Sequence, residues 1–334
     1  MAGSRSVTFP SDRPLGRWWI HRDHEIQAKG DALGDVRIPP GGVLDLEILG
    51  DAAADLSPLA TLRPDDIHAL YIESREFTDA SAAHIRGLTS LRVLSLADTT
   101  VGDVGVDFLL RRLTQLRSLD LARTRVTDLV IESIGHNTRL ESLSLWGTAV
   151  TDQGLAKLRG PQLRCLVLHG TRVTGAGMRQ VGRLRNLESL DLWDVPISDR
   201  DLGHLLKLTE LRQLNLWGTR VTARGLTKLE MLHNLKSLVL CGPAVTDAGL
   251  AQLSKVKALQ TLELHGLTDT GDGVRLPSVT NNGLQYLAAL DALTAIEIVG
   301  TWVTETGVND LRAALPACVV RWQPHADIRW FFRT

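Results

Sequence analysis

The sequence is poor in cysteine and in aromatic residues, and neither charge is in excess. Its three cysteines, Cys165, Cys241 and Cys318, lie far apart in 334 residues, which argues against a disulfide framework. The 37 basic and 38 acidic residues nearly balance, so we expect no nucleic-acid partner held by bulk charge. No apolar run approaches the ~18 residues of a membrane helix, and residues 1–16 lack the apolar segment of a signal peptide. These absences predict a cytoplasmic protein with no membrane partner.

What the sequence does contain is a repeat. A Leu-x-x-Leu-x-Leu pattern opens twelve times, and eight of its eleven steps are 24 residues long. The opening positions are Val43, Ile67, Leu91, Leu116, Leu140, Leu163, Leu187, Leu211, Leu235, Leu259, Leu293 and Ala317. The step from Leu259 to Leu293 is 34 residues, so one repeat carries an insertion, which falls within residues 267–278. A period of this length predicts one elongated unit of stacked repeats, because each repeat contacts only its neighbours.

The second half of each central repeat has its own pattern, as in Val150-Thr-Asp-Gln-Gly-Leu155. With this half included, residues 43–322 resemble the leucine-rich repeat superfamily in its ribonuclease-inhibitor-like form. Similar repeats occur in bacterial leucine-rich repeat proteins and in the F-box substrate receptors of eukaryotes. The resemblance implies an α/β fold, a curved horseshoe-shaped solenoid with parallel strands on the concave side and helices on the convex side. It leaves function open, since inhibitors, receptors, scaffolds and adaptors share this architecture.

The residues of one repeat predict the same elements. In Leu140-Glu-Ser-Leu-Ser-Leu-Trp146, alternation with period two indicates a short strand with Leu143 and Leu145 pointing inward. The threonines that follow the strands are expected to tie adjacent turns together through their hydroxyls; they are Thr99, Thr124, Thr148, Thr171, Thr219 and Thr301. A second set is expected to cap helices of about two turns, each with an acid next to it, namely Thr127, Thr151, Ser198, Thr246 and Thr304.

A repeat stack needs a cover at each end, which divides the sequence into three parts. Residues 1–42, with Trp18-Trp19-Ile20 and Val36-Arg37-Ile38, are predicted to form a β-rich N-terminal cap. Residues 43–322 form the solenoid, and residues 323–334, with Trp330-Phe331-Phe332, form a C-terminal cap or tail. The insertion at 267–278 is predicted to contact a partner, because insertions in repeat proteins map to functional surfaces.

The outward strand positions are the candidates for binding. One outward column places large rings in the middle repeats, and the column beside it is acidic on balance; the candidate binding residues are Trp146, His169, Trp193, Trp217, His265, Asp120, Asp191, Asn215 and Glu263. An exposed Trp offers apolar area and an N–H donor at little entropic cost, which is typical of a binding anchor. The alternative is structural, with the rings stacking on one another and sealing the strand ends.

The sequence predicts a binding protein and not an enzyme. Phosphate-loop, dinucleotide and zinc-ligand spacings are absent, and we identify no cofactor, metal ligand or catalytic residue. Cys241 and His265 occupy adjacent repeats of one column, but no third group orients them for nucleophilic catalysis. We therefore predict a non-enzymatic interaction module that binds a protein or peptide on its concave face. Two alternatives stay open: a receptor for a small or glycan-like ligand, and the substrate-recognition half of an adaptor such as a ubiquitin-ligase-like complex.

Overall fold

The computed structural model describes residues 4–23, 25–159, 162–266 and 278–324. Within these ranges, strands and short helices alternate along the chain. The strands are β1 (Arg5–Thr8), β2 (Arg17–Arg22), β3 (Glu25–Asp31), β4 (Asp35–Ile38), β5 (Val43–Leu49), β6 (Ala69–Glu73), β7 (Val93–Ser95), β8 (Ser118–Asp120), β9 (Ser142–Ser144), β10 (Cys165–Val167), β11 (Ser189–Asp191), β12 (Gln213–Leu216), β13 (Ser237–Cys241), β14 (Thr261–His265), β15 (Ala295–Val299) and β16 (Val319–Gln323).

The α-helices lie between consecutive strands from β6 onward. They are α1 (Ala82–Ile85), α2 (Asp103–Leu110), α3 (Ile131–His136), α4 (Asp152–Leu155), α5 (Met178–Val181), α6 (Asp199–Leu202), α7 (Ala223–Leu226), α8 (Asp247–Leu253), α9 (Asn281–Leu287) and α10 (Glu305–Ala314). Short 3-10 turns occur at Gly50–Ala54, Ser57–Thr61, Gly175–Gly177, Leu205–Lys207 and Leu229–Met231.

The chain divides into two compact units, Met1–Cys165 and Leu166–Thr334. In the first unit, β5 to β9 pair in parallel and in chain order, with Leu46, Leu70 and Leu94 in register. Ahead of them, β2 pairs antiparallel with both β3 and β5, and β1 pairs antiparallel with β4. The prediction of β-structure before residue 43 therefore matches the strands found there, while the three-part division itself stays a prediction.

In the second unit, β11 to β16 also pair in parallel and in chain order. Leu190, Leu214, Leu238 and Leu262 share one register, so the same inward position of each repeat meets its equivalent in the next. All of these leucines are buried, as are Leu143, Leu145, Leu192 and Leu216, whereas Ser144, Asp191 and Asn215 on the other face are partly exposed. The predicted inward and outward positions are confirmed.

The predicted length of about two turns is confirmed for α2, α8, α9 and α10, whereas several helices of the middle repeats are shorter. The helices α4, α6 and α7 each span 4 residues, a single turn. In the repeats of α6 and α7 the chain continues as a 3-10 turn, Leu205–Lys207 or Leu229–Met231. In these repeats the tighter 3-10 turn returns the chain to the next strand in less length.

The threonines that follow the strands act within their own repeat, which corrects the prediction that they tie adjacent turns. The hydroxyl of Thr148 donates to the Leu145 carbonyl oxygen at 2.6 Å, and that of Thr219 donates to the Leu216 carbonyl at 2.8 Å. The same bond recurs at Thr99, Thr124 and Thr171. Within the described residues the buried Thr301 hydroxyl has no partner. A short side chain reaches a carbonyl three residues back more easily than one in a neighbouring strand.

Carboxylates make the bonds between repeats. Asp199 accepts from the backbone N–H and the hydroxyl of Thr222, both at 2.7 Å, and Thr222 in turn caps α7. The pairs Asp103–Thr127, Asp128–Thr151 and Asp247–Thr280 are built alike, and Asn281 replaces the acid beside Thr304. The sequence analysis assigned Asp128, Asp199 and Asp247 to the helix dipole alone. We call these bonds the Asp–Thr ladder.

The predicted caps are only partly correct. Thr151 and Thr246 accept from helix N–H groups, and Ser198 forms a capping box with Asp201. Thr127 does not cap α3, whose N-cap is Val130. Thr304 makes no side-chain cap bond, since Asn281 donates to its hydroxyl instead. Three caps were missed because no acid follows them: Thr174, Thr222 and Thr280.

The ladder explains the glycine of the Val-Thr-Asp-x-Gly-Leu pattern. A Cβ at Gly225 would lie far inside van der Waals contact with Oδ1 of Asp199, the ladder acid of the preceding repeat. Gly154 and Gly283 meet Asp128 and Asp247 in the same way. Glycine is required there because the carboxylate of one repeat occupies the space that a side chain of the next would fill.

Replacing a mid-stack inward leucine tests the packing. Leu190 is 1% exposed, so Leu190→Ala should lower the free energy of unfolding by about 2–5 kcal/mol through lost burial and a residual cavity. Urea unfolding followed by circular dichroism measures the loss. Glu210→Ala, at an exposed turn position, serves as the control and should change stability by less than about 0.5 kcal/mol. Equal stability of the two variants would contradict a packed leucine core.

Adding a methyl group at Gly225 tests the ladder. Gly225→Ala should destabilise by about 1–3 kcal/mol, because the new Cβ displaces the Asp199 carboxylate. Gly87→Ala is the matched control, since nothing lies within 4 Å of a Cβ built there. In an Asp199→Ala background, Gly225→Ala should lose most of its cost. If Gly225→Ala is as stable as Gly87→Ala in urea unfolding, the steric explanation is wrong.

Candidate functional site

Each ring of the predicted column lies at, or one or two residues after, the carboxyl end of a strand. In most repeats the residue after the ring has a left-handed backbone, and Gly147, Gly170 and Gly218 have φ between 64° and 67°. Asp194 takes the same conformation after Trp193, with φ 55°. The chain turns sharply there, so the preceding ring stays on the outward face of the sheet.

Four of these rings form a continuous row in the second unit, which we call the aromatic row: His169, Trp193, Trp217 and His265. The centroids of His169 and Trp193 are 4.3 Å apart, those of Trp193 and Trp217 are 5.4 Å apart, and those of Trp217 and His265 are 4.1 Å apart. The planes meet at 34° to 43°, so the rings are tilted against one another. Such ring pairs each stabilise the folded state by about 0.5–1.5 kcal/mol beyond the effect of burial, so the contacts hold the four rings against one another.

The row skips one repeat at Cys241. The strands β12 and β14 are two strand spacings apart, roughly 9–10 Å, yet the rings of Trp217 and His265 nearly touch. Both rings must therefore lean over the intervening Cys241, which pairs in register with His265 and is 5% exposed. A small side chain at this position allows the two rings to meet.

Burial also sets the chemistry of Cys241. It raises the pKa of the thiol to about 11, with Asp194 adding to the effect and a backbone hydrogen bond from Gly218 opposing it. Burial lowers the pKa of His265, against the opposing charge of Glu297. At neutral pH the pair is a thiol beside a neutral imidazole, so it lacks the thiolate that nucleophilic catalysis requires.

The polar candidates Asp191 and Asn215 hold the strand ends. Oδ1 of Asp191 accepts from the backbone N–H of Trp193 at 2.9 Å, and Oδ1 of Asn215 accepts from that of Trp217 at 3.0 Å. Each side chain thus fixes the turn that presents a Trp, and its second polar atom lies on the outward face. The sequence analysis assigned these two residues to partner recognition and missed this local role.

Two carboxylates lie together at the far end of the row. Glu263 and Glu297 are in register on β14 and β15, and Glu263 is exposed. Partial desolvation of its carboxylate first, and the neighbouring Glu297 second, raise the pKa of Glu263 above its usual value. The aromatic row therefore ends beside paired like charges that a cation from another molecule would relieve.

Trp146 and Asp120 belong to the first unit and are not members of the aromatic row. The Arg123 guanidinium lies 5.1 Å from the Trp146 ring centroid, a cation–π contact, and also pairs with Asp98. Asp120 accepts from the Ala122 N–H at 2.9 Å, the same strand-end bond as in Asp191. Trp146 remains 38% exposed.

One group of possible metal ligands escaped the sequence analysis. Within the described residues of the first unit, His21, Asp45 and His68 bring their ligand atoms within 4.8 Å of one another. The two histidines lie 24 and 23 residues from Asp45, but His21 reaches it from the antiparallel strand β2, outside the repeat pattern. The predicted partner-contacting insertion falls on residues 267–277, which lie outside the described residues, and on Ser278.

These observations define a leucine-rich repeat solenoid, with buried leucines on one face of its strands and rings on the other. The family model for the leucine-rich repeat region matches residues 72–313, and the chain belongs to this family. The predicted fold class is confirmed.

Two solved structures illustrate the similarity. An internalin, InlF, from Listeria monocytogenes is 20% identical, with 80% of this chain and 76% of that chain covered and a TM-score of 0.56. A leucine-rich repeat protein from Leptospira interrogans is 19% identical, with 83% of this chain and 69% of that chain covered and a TM-score of 0.47. At 20% identity, the likeness to the internalin shows the fold alone. A search of curated protein sequences finds no match. No helix among the described residues is long and apolar enough to cross a bilayer.

The position of the Trp217 and His265 rings over Cys241 can be tested by removing one of them. Trp217→Ala should speed the modification of Cys241 by a thiol reagent at pH 8, because exposure lowers its pKa from about 11 toward the ordinary value. Peptide mapping by mass spectrometry separates Cys241 from Cys165 and Cys318. Trp302→Ala, at a Trp outside the row, should leave the rate unchanged. An unchanged rate in Trp217→Ala would show that the rings do not cover the thiol.

Proposed function

We propose that this protein is a non-enzymatic interaction module that binds a protein or peptide on the sheet face carrying the aromatic row. The fold class commonly mediates protein–protein interaction and typically lacks enzymatic activity. The observation that carries the proposal is a row of four contacting rings on the outward face, with Trp193 still 37% exposed. A rigid aromatic surface of this kind loses little entropy when it is covered.

The charges beside the row indicate the chemistry of the partner. Glu263 and Glu297 repel each other, and Asp191 adds a third carboxylate on the same face. A Lys or Arg of the partner would offset this repulsion and could also lie against the indole rings. The proposed partner segment therefore combines basic with apolar side chains, and its binding weakens as salt rises.

The alternatives make different demands on the surface. A receptor for a small or glycan-like ligand needs a pocket that encloses most of the ligand. A cavity of about 280 Å³ lies on the helix side of the first unit, lined by Glu132, Gly135, His136, Ala156, Lys157 and Arg159, and none of these is a candidate binding residue. The row itself is a surface of tilted rings, which favours a protein partner. The adaptor alternative is a special case of protein binding, with the effector on another chain.

The proposed compartment is the cytoplasm. All three cysteines are free, and they lie in three different repeats, on β10, on β13 and next to β16. Free cysteines are usual in a reducing compartment.

Affinity capture with matched variants tests the function. Wild type, Trp193→Ala/Trp217→Ala and Trp302→Ala are each used to capture proteins from the native lysate. Trp302 is 37% exposed, like Trp193, but lies outside the row, so it controls for loss of any surface indole. We expect the double variant to lose the partner and the control to keep it. Truncating an interface anchor typically costs about 2 kcal/mol, roughly 30-fold in affinity.

Far-UV circular dichroism must show that the double variant remains folded. A partner retained by a folded double variant would contradict the use of the row. Loss of the partner from Trp302→Ala as well would point to a different surface.

The acidic end of the row is tested by removing one charge. Glu263→Gln should weaken the captured complex and reduce its salt dependence, because it removes a carboxylate that the partner's cation would pair with. Titration calorimetry against the captured partner measures both effects.

A further inference from the structure

Three polar side chains meet on the outward face at the start of the repeats. His21 lies on β2, Asp45 lies on β5, and His68 directly precedes β6. Nε2 of His21 is 2.7 Å from Oδ2 of Asp45, and Nδ1 of His68 is 3.2 Å from Oδ1 of the same carboxylate. Each imidazole thus points one ring nitrogen at the carboxylate, and the three ligand atoms lie within 4.8 Å of one another.

The carboxylate at the centre is held in place. The Asp45 side chain is 7% exposed, while His21 and His68 remain open enough for an ion to enter. Its cross-strand neighbours are Trp19 on β2 and the small Ala69 on β6. The Trp19 ring also stacks on Tyr71 at 5.7 Å, which forms an aromatic wall near the carboxylate. Burying a charge is costly unless it is paired, so this Asp needs the two imidazoles or a cation.

The spacing of the ligand atoms suits a metal ion. Nitrogen and oxygen ligands lie about 2.0–2.2 Å from zinc, which places neighbouring ligands of a tetrahedral ion roughly 3–3.5 Å apart. The separations of 2.7 Å from His21 to one oxygen of Asp45 and of 3.2 Å from His68 to the other oxygen lie near this range. The rings of His21 and His68 meet at 81°, with centroids 5.8 Å apart, so their nitrogens converge without the rings colliding. Displacing the protons of these hydrogen bonds would leave a lone pair on each imidazole beside the carboxylate.

We propose that His21, Asp45 and His68 form a binding site for a divalent transition-metal ion of the zinc class. Two imidazole nitrogens with one carboxylate suit zinc and its late first-row neighbours, whereas calcium and magnesium prefer all-oxygen sites. Nε2 of His21, a carboxylate oxygen of Asp45 and Nδ1 of His68 are the ligands, and water completes the coordination. The ion links the antiparallel strand β2 to the first two parallel strands, so it fastens the start of the solenoid. This site is independent of the aromatic row.

The test uses the untagged full chain, stripped with EDTA and titrated with Zn²⁺ in a calorimeter. We expect one ion per chain and a higher melting temperature with Zn²⁺, because the ion binds the folded state. His21→Ala and His68→Ala should each weaken binding by at least about 10–100-fold, the loss typical of even an outer-shell partner. His233→Ala, at an exposed histidine of the second unit, is the matched control and should bind like wild type.

The outcomes separate a built site from casual binding. Binding that survives in folded His21→Ala and His68→Ala would place the ion elsewhere and overturn the proposal. A wild type that binds no Zn²⁺ at millimolar concentration would overturn it as well, and the three side chains would then be a hydrogen-bonded network. Far-UV circular dichroism of the metal-free variants checks their folding. Should His21→Ala unfold, His21→Gln keeps a polar side chain and carries the same expectation.

Discussion

Every part of this structure depends on one constraint, which is that a repeat of about 24 residues cannot bury its own leucines. Leu190 on β11 is covered only because Leu214 on β12 lies beside it in register, and Leu214 depends in the same way on Leu238. The parallel strands satisfy their backbone groups across the same neighbours. Stability is therefore a property of adjacent repeats, and a change in one repeat is felt in the next.

On the helix side, the Asp–Thr ladder also makes each repeat depend on its neighbour. Helices of a single turn have little stability of their own, and each begins at unpaired N–H groups. Asp199 reaches forward to the N–H and hydroxyl of Thr222, so that one repeat holds the start of the helix in the next. The glycine at 225 follows from that reach, since its missing side chain leaves the room that the carboxylate occupies.

The outward face is the part that stacking leaves free to vary. Strands about 4.8 Å apart hold successive outward side chains at the separation where tilted aromatic rings pair, so rings placed on neighbouring repeats contact one another. His169, Trp193 and Trp217 do so on consecutive repeats, and His265 joins them only because Cys241 is small. An aromatic surface therefore arises from a few side chains at positions that the core does not use.

The sequence by itself determined the repeat, the inward leucines, the parallel strands and the side of the sheet on which the rings lie. These follow from periodicity, which acts between near neighbours and can be read from spacing alone. The tertiary structure alone decided which polar groups meet. It showed that Asp191 and Asn215 hold their own strand ends, that Asp199 bonds the following repeat, and that Thr148 bonds within its own turn. It also brought His21 to Asp45 and His68, because β2 runs antiparallel to the repeats and no period relates its residues to theirs. Hydrogen bonds depend on direction and on distances of a few tenths of an ångström, which a pattern of residue types does not specify.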